Sequence, residues 1–413
     1  MVQSFLESRE IGWFDDSNKI KLKYELSAGV PQGSSLSPTL FNIAMSEIHR
    51  KVEETERIKL LSYADDLLMI VGINEINNAE IINKKIERVN NALKKLGLNL
   101  NVNKTQMMFL SRRHNKTEFQ NKIEKEIKMD NVNLQFKTEI KYLGLILDPA
   151  LNYNRHVEYI TNKLKKYYDK IRSLYGNLYG YDTKNREIIY NALFRSITEY
   201  GSLAYSEKLR KSDIKKLKTV QRTILIGVIS AYKTVSHTAT QVIAGKLPID
   251  LQLKLTNQIK KNKEESRQGK FTNKQSKEMI NRAKNDITQE WQEQYDNERT
   301  GRRTAELIPN IEKRLKNKKL KSDYYMTQYL TGHGKFATYL KKFKITDNSI
   351  CRECKEAEDS PDHTFRECKN FTKLREKHSI TDEDLQKCLQ EKESHDKMGK
   401  YVKEILETKG EIK

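Results

Sequence analysis

Hydrophobic and polar positions in the first 155 residues follow both strand-like and helix-like patterns, which predicts a mixed α and β region. From Ile20 to Leu26 apolar and polar residues alternate, as they do in a half-buried strand. A second strand-like run, Leu60–Val71, is interrupted in its middle by two adjacent aspartates. The short apolar runs Met107–Leu110 and Tyr142–Leu147 predict two further strands.

Helices are predicted where apolar residues repeat every three to four positions between recognisable end signals. Ser37 fits the N-cap of one helix, because a serine side chain can accept a hydrogen bond from a backbone N–H of the first turn. Pro38 fits the first helical position, where a backbone N–H would have no partner within the helix and proline has none. A second helix is predicted from about Asn78 to Leu96. Gly97 marks its end, since glycine adopts the left-handed conformation that terminates helices.

The second part of the chain and the overall charge indicate a polyanionic partner. From Asn154 onward the pattern is helical, and residues 251–320 are the most charged part, which we interpret as solvated helix faces. The 413 residues include 77 Lys and Arg against 56 Asp and Glu, a formal net charge of +21. This excess favours nucleic acid or an anionic membrane surface. No stretch has the length of a membrane span and no signal peptide is recognisable, so we predict nucleic acid and no membrane.

Two adjacent carboxylates in Tyr63-Ala64-Asp65-Asp66 are the first candidates for chemistry. Burying an ionised carboxylate in an apolar hairpin is costly unless it is paired or bound to a metal, and two carboxylates also repel each other. Hard oxygen ligands on a rigid hairpin are what Mg²⁺-dependent phosphoryl transfer requires. On these residues alone, an Asp-Asp turn between two ordinary strands explains the pattern equally well.

The loop Gly29–Pro38 combines two glycines and two prolines with small hydroxyl residues. Such a loop lets a nucleotide or a nucleic-acid backbone approach closely and offers it N–H groups ahead of a helix. Alone, the same residues fit an ordinary loop-to-helix turn. Their place roughly thirty residues before the two aspartates favours a functional loop.

Three of the four cysteines lie close together near the C-terminus, beside one histidine. Cys351, Cys354, His363 and Cys368 have the spacing C-x2-C-x8-H-x4-C, which can close a tetrahedral Zn²⁺ site of the structural kind. Reduced cysteines without metal are the alternative, and Cys388 is a weaker candidate ligand. We expect the cations nearest to this cluster to reach phosphates: Arg352, Lys355, Arg366 and Lys369. His333 is expected to be a turn or packing residue, and the few cysteines fit a reducing compartment.

The order of these motifs resembles the reverse transcriptase of non-LTR (LINE-like) retrotransposons. The resemblance rests on Gly29–Pro38, Tyr63–Asp66, Gly97–Asn101 followed by Lys104-Thr105, and Tyr142-Leu143-Gly144. Further motifs look like the thumb-side region of arthropod elements: Gln221-Arg222, Ala231–Ser236, Ala244–Ile249 and Thr331–Gly334. The Cys/His cluster follows them, so the resemblance covers nearly the whole chain as ordered short motifs.

This resemblance implies a role for individual residues. Asp65 would be a direct Mg²⁺ ligand in a two-metal site, with Asp66 as a supporting carboxylate. Lys104 would assist the departure of pyrophosphate. Tyr63 would contact the primer terminus. The template and the incoming nucleotide would contact Pro31, Gln32 and Gly33. The primer would be held by the hairpin of Tyr142, Leu143 and Gly144. For Lys104 and Gln32, exposed polar residues without a catalytic role are the alternative.

One departure from the family pattern bears on activity. In the family, the aspartate that bridges both metals lies on a strand well upstream of the Gly-Val-Pro-Gln-Gly loop. Here Met1–Ala28 precede the loop, and their acidic pair Asp15-Asp16 is flanked by turn-forming residues. We therefore expect the bridging aspartate, the fingers and any N-terminal endonuclease to be absent, which would compromise a site that acts as a unit.

We expect an α+β fold with a truncated right-hand polymerase palm (1–155), a helical thumb (156–250), a charged helical connector (251–325) and a C-terminal zinc-knuckle module (326–413). The resemblance implies an RNA-directed DNA polymerase that uses Mg²⁺ and structural Zn²⁺, here as an incomplete and catalytically compromised copy. Its expected partners are an RNA template and a DNA primer or target, in the nucleus or cytoplasm. The alternatives are a non-catalytic nucleic-acid-binding remnant and an inert fragment whose unpaired palm strands aggregate.

Overall fold

The computed structural model describes residues 2–7, 9–14, 20–52, 58–72, 79–110, 126–175, 181–317 and 319–409. Asp15, Asp16 and Asn78, which figured in the sequence predictions, lie outside these ranges. The internal contacts divide the chain into two compact units. The first comprises Met1–Ile140 with Asp148–Ala150, and the second comprises Lys141–Leu147 with Leu151–Lys413.

In its described residues, the first unit mixes short strands with three helices. Its helices are α1 (Val2–Leu6), α2 (Ser37–Lys51) and α3 (Ala79–Lys94), with a 3-10 turn at Val102–Lys104. Its strands are β1 (Arg9–Phe14), β2 (Ile20–Leu26), β3 (Ile58–Tyr63), β4 (Asp66–Val71), β5 (Lys128–Met129) and β6 (Val132–Asn133). The strands form antiparallel two-stranded sheets, β1 with β2, β3 with β4 and β5 with β6.

The main core of the first unit forms where two helices pack on one face of the β3–β4 hairpin. Met45, Ile48 and Val52 from the α2 side meet Val89 and other apolar residues of α3, and Leu60 of β3 is buried with them. Side chains alternate along a strand, so the opposite face of this hairpin carries exposed residues such as Leu61 and Ile70. The helices thus support the hairpin from one side and leave its other face and its tip open.

Three predictions for this unit are confirmed and two are wrong. Strand β2 occupies the predicted span, the Asp-Asp run forms a hairpin, and α3 ends before Gly97, whose φ is +74°. Ser37 is not an N-cap: it is the first helical residue, and its hydroxyl donates to the carbonyl of Pro31. Met107–Leu110 is not a strand, because it makes only an isolated bridge between Met107 and Phe136 in the described structure.

The second unit is helical except for one hairpin and one isolated bridge among its described residues. The hairpin consists of β7 (Ile140–Tyr142), whose first residue belongs to the first unit, and β8 (Leu145–Leu147). The helices up to residue 300 are α4 (Asn154–Ile171), α5 (Thr183–Tyr190), α6 (Ser196–Glu199), α7 (Ser202–Tyr205), α8 (Lys211–Val228), α9 (His237–Ala244), α10 (Ile249–Arg267) and α11 (Asn273–Asp296). The later helices are α12 (Arg302–Leu307), α13 (Ile311–Lys316), α14 (Tyr324–Thr331), α15 (Ala337–Lys342), α16 (Thr372–Lys377), α17 (Asp382–Lys387) and α18 (Lys392–Thr408).

A continuous hydrophobic core extends through the second unit. It includes Val157 on α4, Leu225 on α8, Trp291 on α11 and Val402 on α18, all almost fully buried. The prediction of a helical chain from Asn154 onward is confirmed. The expected single strand at residues 142–147 is wrong, because Leu143 and Gly144 turn the chain between β7 and β8.

The fold is therefore a mixture of helix and sheet, as predicted. None of the described helices is both long enough and apolar enough to cross a membrane. The change from mixed structure to helices lies near residue 150. The division of the later residues into thumb, connector and zinc module stays a prediction.

Candidate active site and metal centre

The two aspartates lie at the tip of the β3–β4 hairpin. Tyr63 pairs with Asp66 in the antiparallel register, so Ala64 and Asp65 form a two-residue loop. Ala64 has a φ of +50°, a left-handed conformation that costs a residue with a Cβ roughly 1–2 kcal/mol. A positive φ at the first loop position matches the twist of the flanking strands. The strand register fixes this turn and places two consecutive carboxylates at its end.

Both carboxylates are exposed, which changes the electrostatic argument. Asp65 and Asp66 are open to solvent, and the ring of Tyr63 beside them is 65% exposed. The sequence-based premise that the hairpin buries these charges is wrong, because the apolar residues of β3 and β4 are buried only toward the helices. Water screens the repulsion between the two charges, so the pair needs no cation to fold. Exposure also leaves the oxygens accessible to a ligand.

The strand that leads to the pair makes one polar contact with α2. On the strand leading to the tip, Ser62 Oγ lies 2.9 Å from His49 Nε2 of α2. Within the ranges described, neither Asp65 nor Asp66 belongs to any group of three or more His, Cys, Asp or Glu side chains. The hairpin therefore presents two hard oxygen donors without a preassembled set around them.

The loop before α2 presents backbone that is open to contact. Gln32 and Gly33 are exposed, while Pro31 is half-buried and bonded through its carbonyl to Ser37. Gly33 has a φ of +89°, and no described residue other than its chain neighbours has a heavy atom within 4 Å of the position where its Cβ would be. A glycine is required there by the backbone, and the open space around it permits close approach of another molecule.

Lys104 lies at the end of the 3-10 turn Val102–Lys104, where its side chain is exposed. The Asn101 side chain accepts a hydrogen bond from the Lys104 backbone N–H at 3.2 Å, and Thr105 Oγ1 donates to the Asn101 carbonyl at 2.8 Å. These bonds define the backbone of the turn and leave the ammonium group to solvent. Its catalytic role stays a prediction.

The hairpin predicted to contact the primer belongs to the second unit and has a well-defined tip. Leu143 and Gly144 both have positive φ, as in the type I′ turn that joins two short strands. The hydroxyl of Tyr200 donates to the Leu143 carbonyl at 2.8 Å, and its ring lies 3.1 Å from the position of a Cβ on Gly144. Tyr142, Leu143 and Gly144 are half-buried. Sequence reasoning did not identify Tyr200, because no local pattern links it to a turn 57 residues earlier.

The Cys/His cluster, by contrast, is assembled. The ligand atoms of Cys351, Cys354, His363 and Cys368 all lie within 4.8 Å of one another. Cys351 Sγ and Cys368 Sγ are 4.0 Å apart, and Cys354 Sγ is 3.3 Å from His363 Nε2. Tetrahedral zinc with Zn–S bonds of about 2.3 Å separates two sulfurs by about 3.8 Å. The four side chains are compatible with a zinc site.

Local backbone bonds build the two halves of this cluster. The Cys351 N–H donates to the Ala357 carbonyl and the Lys355 N–H to the Cys351 carbonyl, both at 2.8 Å. Lys355 has a φ of +61°, which closes the turn after the first two cysteines. In the second half, the Cys368 N–H donates to the His363 carbonyl at 2.7 Å. Each ligand pair is therefore held by its own turn.

The electrostatics of the cluster differ between its cysteines. The backbone N–H of Glu356, with further hydrogen bonds, lowers the pKa of Cys354 to about 7. Burial raises the pKa of Cys368 to about 11. His363 Nε2 faces Cys354, and its Nδ1 lies 3.7 Å from the Glu367 carboxylate. A carboxylate on the far nitrogen is the usual partner of a metal-binding histidine.

Two other predicted side chains are placed by the structure. Cys388 is fully buried in the hydrophobic core, outside the Cys/His group, and burial raises its pKa to about 12. His333 bonds through Nδ1 to Thr234 Oγ1 at 2.7 Å, and its ring centre lies 4.9 Å from that of Tyr339. Burial lowers its pKa to about 4. The prediction that His333 is a packing residue is confirmed.

The cations around the cluster are accompanied by acids. Between Cys351 and Lys369 the chain has four Lys or Arg and six Asp or Glu. Lys369 pairs with Glu356 at 2.8 Å, and Arg366 approaches Asp362 at 3.8 Å. These pairs compete with phosphates for the same cations, and the predicted phosphate contacts stay a prediction.

A buried ion pair that sequence reasoning missed holds the loop between the ligands. Asp359 lies between Cys354 and His363, and its carboxylate meets Lys409 Nζ at 2.5 Å with both side chains about 95% buried. The same carboxylate accepts bonds from the Ala337 N–H and the Thr364 hydroxyl, each at 2.8 Å. Lys409 follows the last helix 50 residues away, and no spacing rule could have paired the two.

The chain is similar to known reverse transcriptases. Residues 2–147 match the family described as "Reverse transcriptase (RNA-dependent DNA polymerase)". A Pol polyprotein from the type-1 retrotransposable element R1 4 of Nasonia vitripennis is 27% identical over 258 residues, 61% of this chain and 65% of that protein. The R1 Pol polyprotein of Bradysia coprophila is 23% identical over 369 residues, covering 86% of this chain and 36% of that protein.

A third relative extends the similarity to another group of elements. The RNA-directed DNA polymerase from the mobile element jockey of Drosophila funebris is 25% identical over 234 residues, 53% of this chain and 24% of that protein. The chain thus spans less than two thirds of each of these relatives. The matched domain and these relatives agree: residues 2–147 match the reverse transcriptase family, and the chain is similar to Pol proteins of non-LTR retrotransposons.

Proposed function

We propose that this chain acts as an RNA-directed DNA polymerase of a non-LTR retrotransposon, extending a nicked DNA primer on an RNA template. The observation that carries the proposal is the Asp65-Asp66 pair at the exposed tip of a hairpin within the reverse transcriptase region. Phosphoryl transfer to a primer hydroxyl depends on positioning and on neutralising phosphate charge, so an accessible pair of carboxylates is the feature it needs most.

In this proposal Asp65 and Asp66 hold Mg²⁺, because exposed carboxylate oxygens are the hard donors that this cation prefers. The bound cation would neutralise phosphate charge and activate the primer hydroxyl. Tyr63 would contact the primer terminus, and Gln32 and Gly33 the template and nucleotide. The remaining implied roles are those of Pro31 in the same loop, of Lys104 toward pyrophosphate, and of Tyr142, Leu143 and Gly144 toward the primer.

The proposed domain layout follows the same family. Residues 1–155 would form the polymerase palm, 156–250 a thumb and 251–325 a connector. Residues 326–413 would form the zinc-knuckle module, with Zn²⁺ on Cys351, Cys354, His363 and Cys368 in a structural role. The closed set of four ligands supports this role, since a catalytic zinc site keeps a position open. We propose that the protein acts in the nucleus when its substrate is chromosomal DNA.

A second candidate is a nucleic-acid-binding protein without polymerase activity. It is favoured by the hairpin itself, which within the described ranges has no third His, Cys, Asp or Glu grouped with its two aspartates. The net charge of +21 would still attract nucleic acid. In this case binding should weaken steeply with salt, because neutralised phosphates release counterions.

Primer extension on an RNA template with Mg²⁺ separates the two candidates. The full chain should extend a labelled primer, and Asp65→Asn should reduce the rate at least about 1,000-fold, since it removes a direct metal ligand. Glu87→Gln on the exposed side of α3 is the matched control, because it removes one exposed acid of the same unit and should leave the rate unchanged. A wild-type chain that binds RNA but extends nothing would contradict the polymerase and support the binding protein.

A further inference from the structure

Two sequence motifs about 100 residues apart meet on the surface of the second unit. Thr234 Oγ1 lies 2.7 Å from His333 Nδ1 and 2.8 Å from the hydroxyl of Tyr339. The guanidinium of Arg222 donates to the carbonyls of Lys233 and Val235, which fixes the loop that carries Thr234. This network reaches solvent, because Thr234 is exposed.

Around this network the rings form a chain of contacts that we call the aromatic platform. Its members are Tyr325, Tyr324, Tyr232, Tyr339 and Phe343, with His333 beside Tyr339. Successive ring centres along it are 5.4, 6.2, 5.9 and 5.0 Å apart. The hydroxyls of Tyr232 and Tyr324 lie 3.1 Å from each other. Mutual packing holds the rings in place, so a ligand would lose little entropy in ordering them.

The platform is open to solvent at its Phe343 end. Phe343 is 43% exposed, and the four tyrosines are partly exposed. Ile345, two residues beyond Phe343, is 64% exposed. An apolar, partly exposed ring that already packs on a second ring offers a stacking surface to a planar group.

Unpaired positive charge surrounds the same end. Lys341, Lys342 and Lys344 flank Phe343, and Lys233 precedes Thr234; all four are exposed. In the part of the chain that the structure describes, no carboxylate lies within 4.0 Å of these ammonium groups. The Tyr325 end is different, because the Tyr325 hydroxyl donates to Glu407 and Lys403 lies over its ring. At the Phe343 end, exposed rings therefore coincide with lysines that have no carboxylate within 4.0 Å among the described residues, whereas Lys403 at the other end lies 3.9 Å from Glu407.

We propose that the aromatic platform binds single-stranded nucleic acid, with bases against Phe343 and Tyr339 and phosphates along Lys341, Lys342 and Lys344. Bases of a single strand expose the faces that stack on aromatic rings, whereas a duplex hides them. Four lysines with no carboxylate within 4.0 Å among the described residues complement the phosphate backbone. The platform differs in this respect from the Cys/His cluster, whose neighbouring cations are accompanied by acids.

The proposal concerns the second unit alone and does not rest on the polymerase activity proposed above. Its test measures binding of the full chain to a fluorescein-labelled 20-nucleotide single strand by anisotropy, with RNA and DNA of one sequence and with the corresponding duplex. Lys341→Gln, Lys342→Gln and Lys344→Gln together should weaken single-strand binding at least about tenfold at low salt. The slope of log affinity against log salt should fall by about two.

Matched variants make the test specific. Lys274→Gln, Lys277→Gln and Lys284→Gln together remove the same charge from exposed positions of α11, away from the platform, and should change affinity less than about twofold. Phe343→Ala should weaken single-strand binding about fivefold or more and leave duplex binding unchanged. Phe343→Trp should restore affinity, and its fluorescence should be quenched on binding. If Phe343→Ala weakens binding of single-stranded RNA but not of single-stranded DNA, the platform is selective for RNA. If it weakens binding of both, the platform binds either kind of single strand.

Three results would overturn the proposal. The control triple could weaken binding as much as the platform triple, which would make the effect one of net charge. Phe343→Ala could leave single-strand binding unchanged, or weaken duplex binding equally. An Asp65→Asn chain serves to separate the hypotheses: it should lose primer extension and keep platform binding, so the failure of one proposal is distinguishable from the failure of the other.

Discussion

The Asp-Asp hairpin and the Cys/His cluster are both candidate metal sites, and they are built in opposite ways. The hairpin presents two exposed carboxylates on a turn with a left-handed alanine and no third ligand among the described residues. The cluster brings four ligands within 4.8 Å, three of them buried, and anchors its loop with a buried ion pair. The hairpin is open to solvent and supplies two ligand side chains, whereas the cluster supplies four ligand side chains that are mostly buried.

This difference reflects what each kind of metal chemistry demands. A structural zinc site must have every position filled by protein, so its ligands can be specified within about twenty residues of chain. A site for phosphoryl transfer must stay accessible to substrate, and its ligands come from separate strands and from the substrate itself. Exposure of Asp65 and Asp66 is therefore compatible with function and costs no desolvation.

The largest expected effect is loss of zinc from the closed site. Cys368→Ser, or a strong chelator, should release zinc and destabilise the region beyond about residue 345 by on the order of 5 kcal/mol or more, because structural zinc binding contributes directly to folding. Zinc content by atomic absorption and thermal unfolding followed by circular dichroism measure the two effects. Cys388→Ala is the control: it removes a buried thiol outside the cluster and should retain zinc. Unchanged helicity with no zinc bound would contradict the prediction.

A smaller loss is expected when the buried ion pair is broken. Asp359→Asn leaves the Lys409 ammonium buried without a counter-charge and should cost about 3 kcal/mol in the free energy of unfolding. Urea unfolding measures it. The double variant Asp359→Asn, Lys409→Met should recover part of the loss, since it removes the unpaired charge as well. If the double variant were less stable than the single one, packing would matter more here than charge.

The stability of the hairpin should depend on the backbone conformation of its turn and not on side-chain packing there. Ala64→Val places a β-branched residue at a φ of +50° and should cost about 1–2 kcal/mol relative to Ala64→Gly. Ala64 is exposed, so no packing change accompanies either substitution. Urea unfolding of the two variants gives the difference. Equal stability of both would show that the turn relaxes away from the left-handed conformation.

The smallest effect on stability is expected at the aspartates themselves. Asp65→Asn and Asp66→Asn should each change the free energy of unfolding by less than about 0.5 kcal/mol, because both side chains are exposed and surface substitutions are usually neutral. Asp65→Asn should nonetheless abolish primer extension. A clear loss of stability in either variant would mean that the hairpin depends on its carboxylates for folding.

The sequence predicted local features well and distant contacts not at all. Strand β2, the Asp-Asp hairpin, the end of α3 at Gly97 and the helical start at Asn154 all follow from short-range periodicity and end signals. The strand predicted at Met107–Leu110 was wrong, because the described residues pair it only through an isolated bridge between Met107 and Phe136. Ser37 was wrong because its hydroxyl bonds back to Pro31 instead of capping the helix.

The candidate sites show the same difference between local features, which the sequence predicts, and distant contacts, which it does not. The four zinc-ligand candidates were predicted from spacing alone, since two tight turns bring each pair together. Burial of the aspartates was predicted wrongly, because an apolar strand pattern does not say which face the helices cover. Tyr200 beside the Gly144 turn could not be found, because the turn and the ring meet only in the folded chain.

By itself, the sequence determined the motif order that resembles a reverse transcriptase and the spacing of the cysteines and histidine, because both are encoded in short stretches of chain. Only the tertiary structure decided that the aspartates are exposed, that Asp359 pairs with Lys409 and that the aromatic platform exists. Each of these depends on contacts between residues far apart in sequence. Such contacts are selected by the packing of whole elements, which local periodicity does not specify.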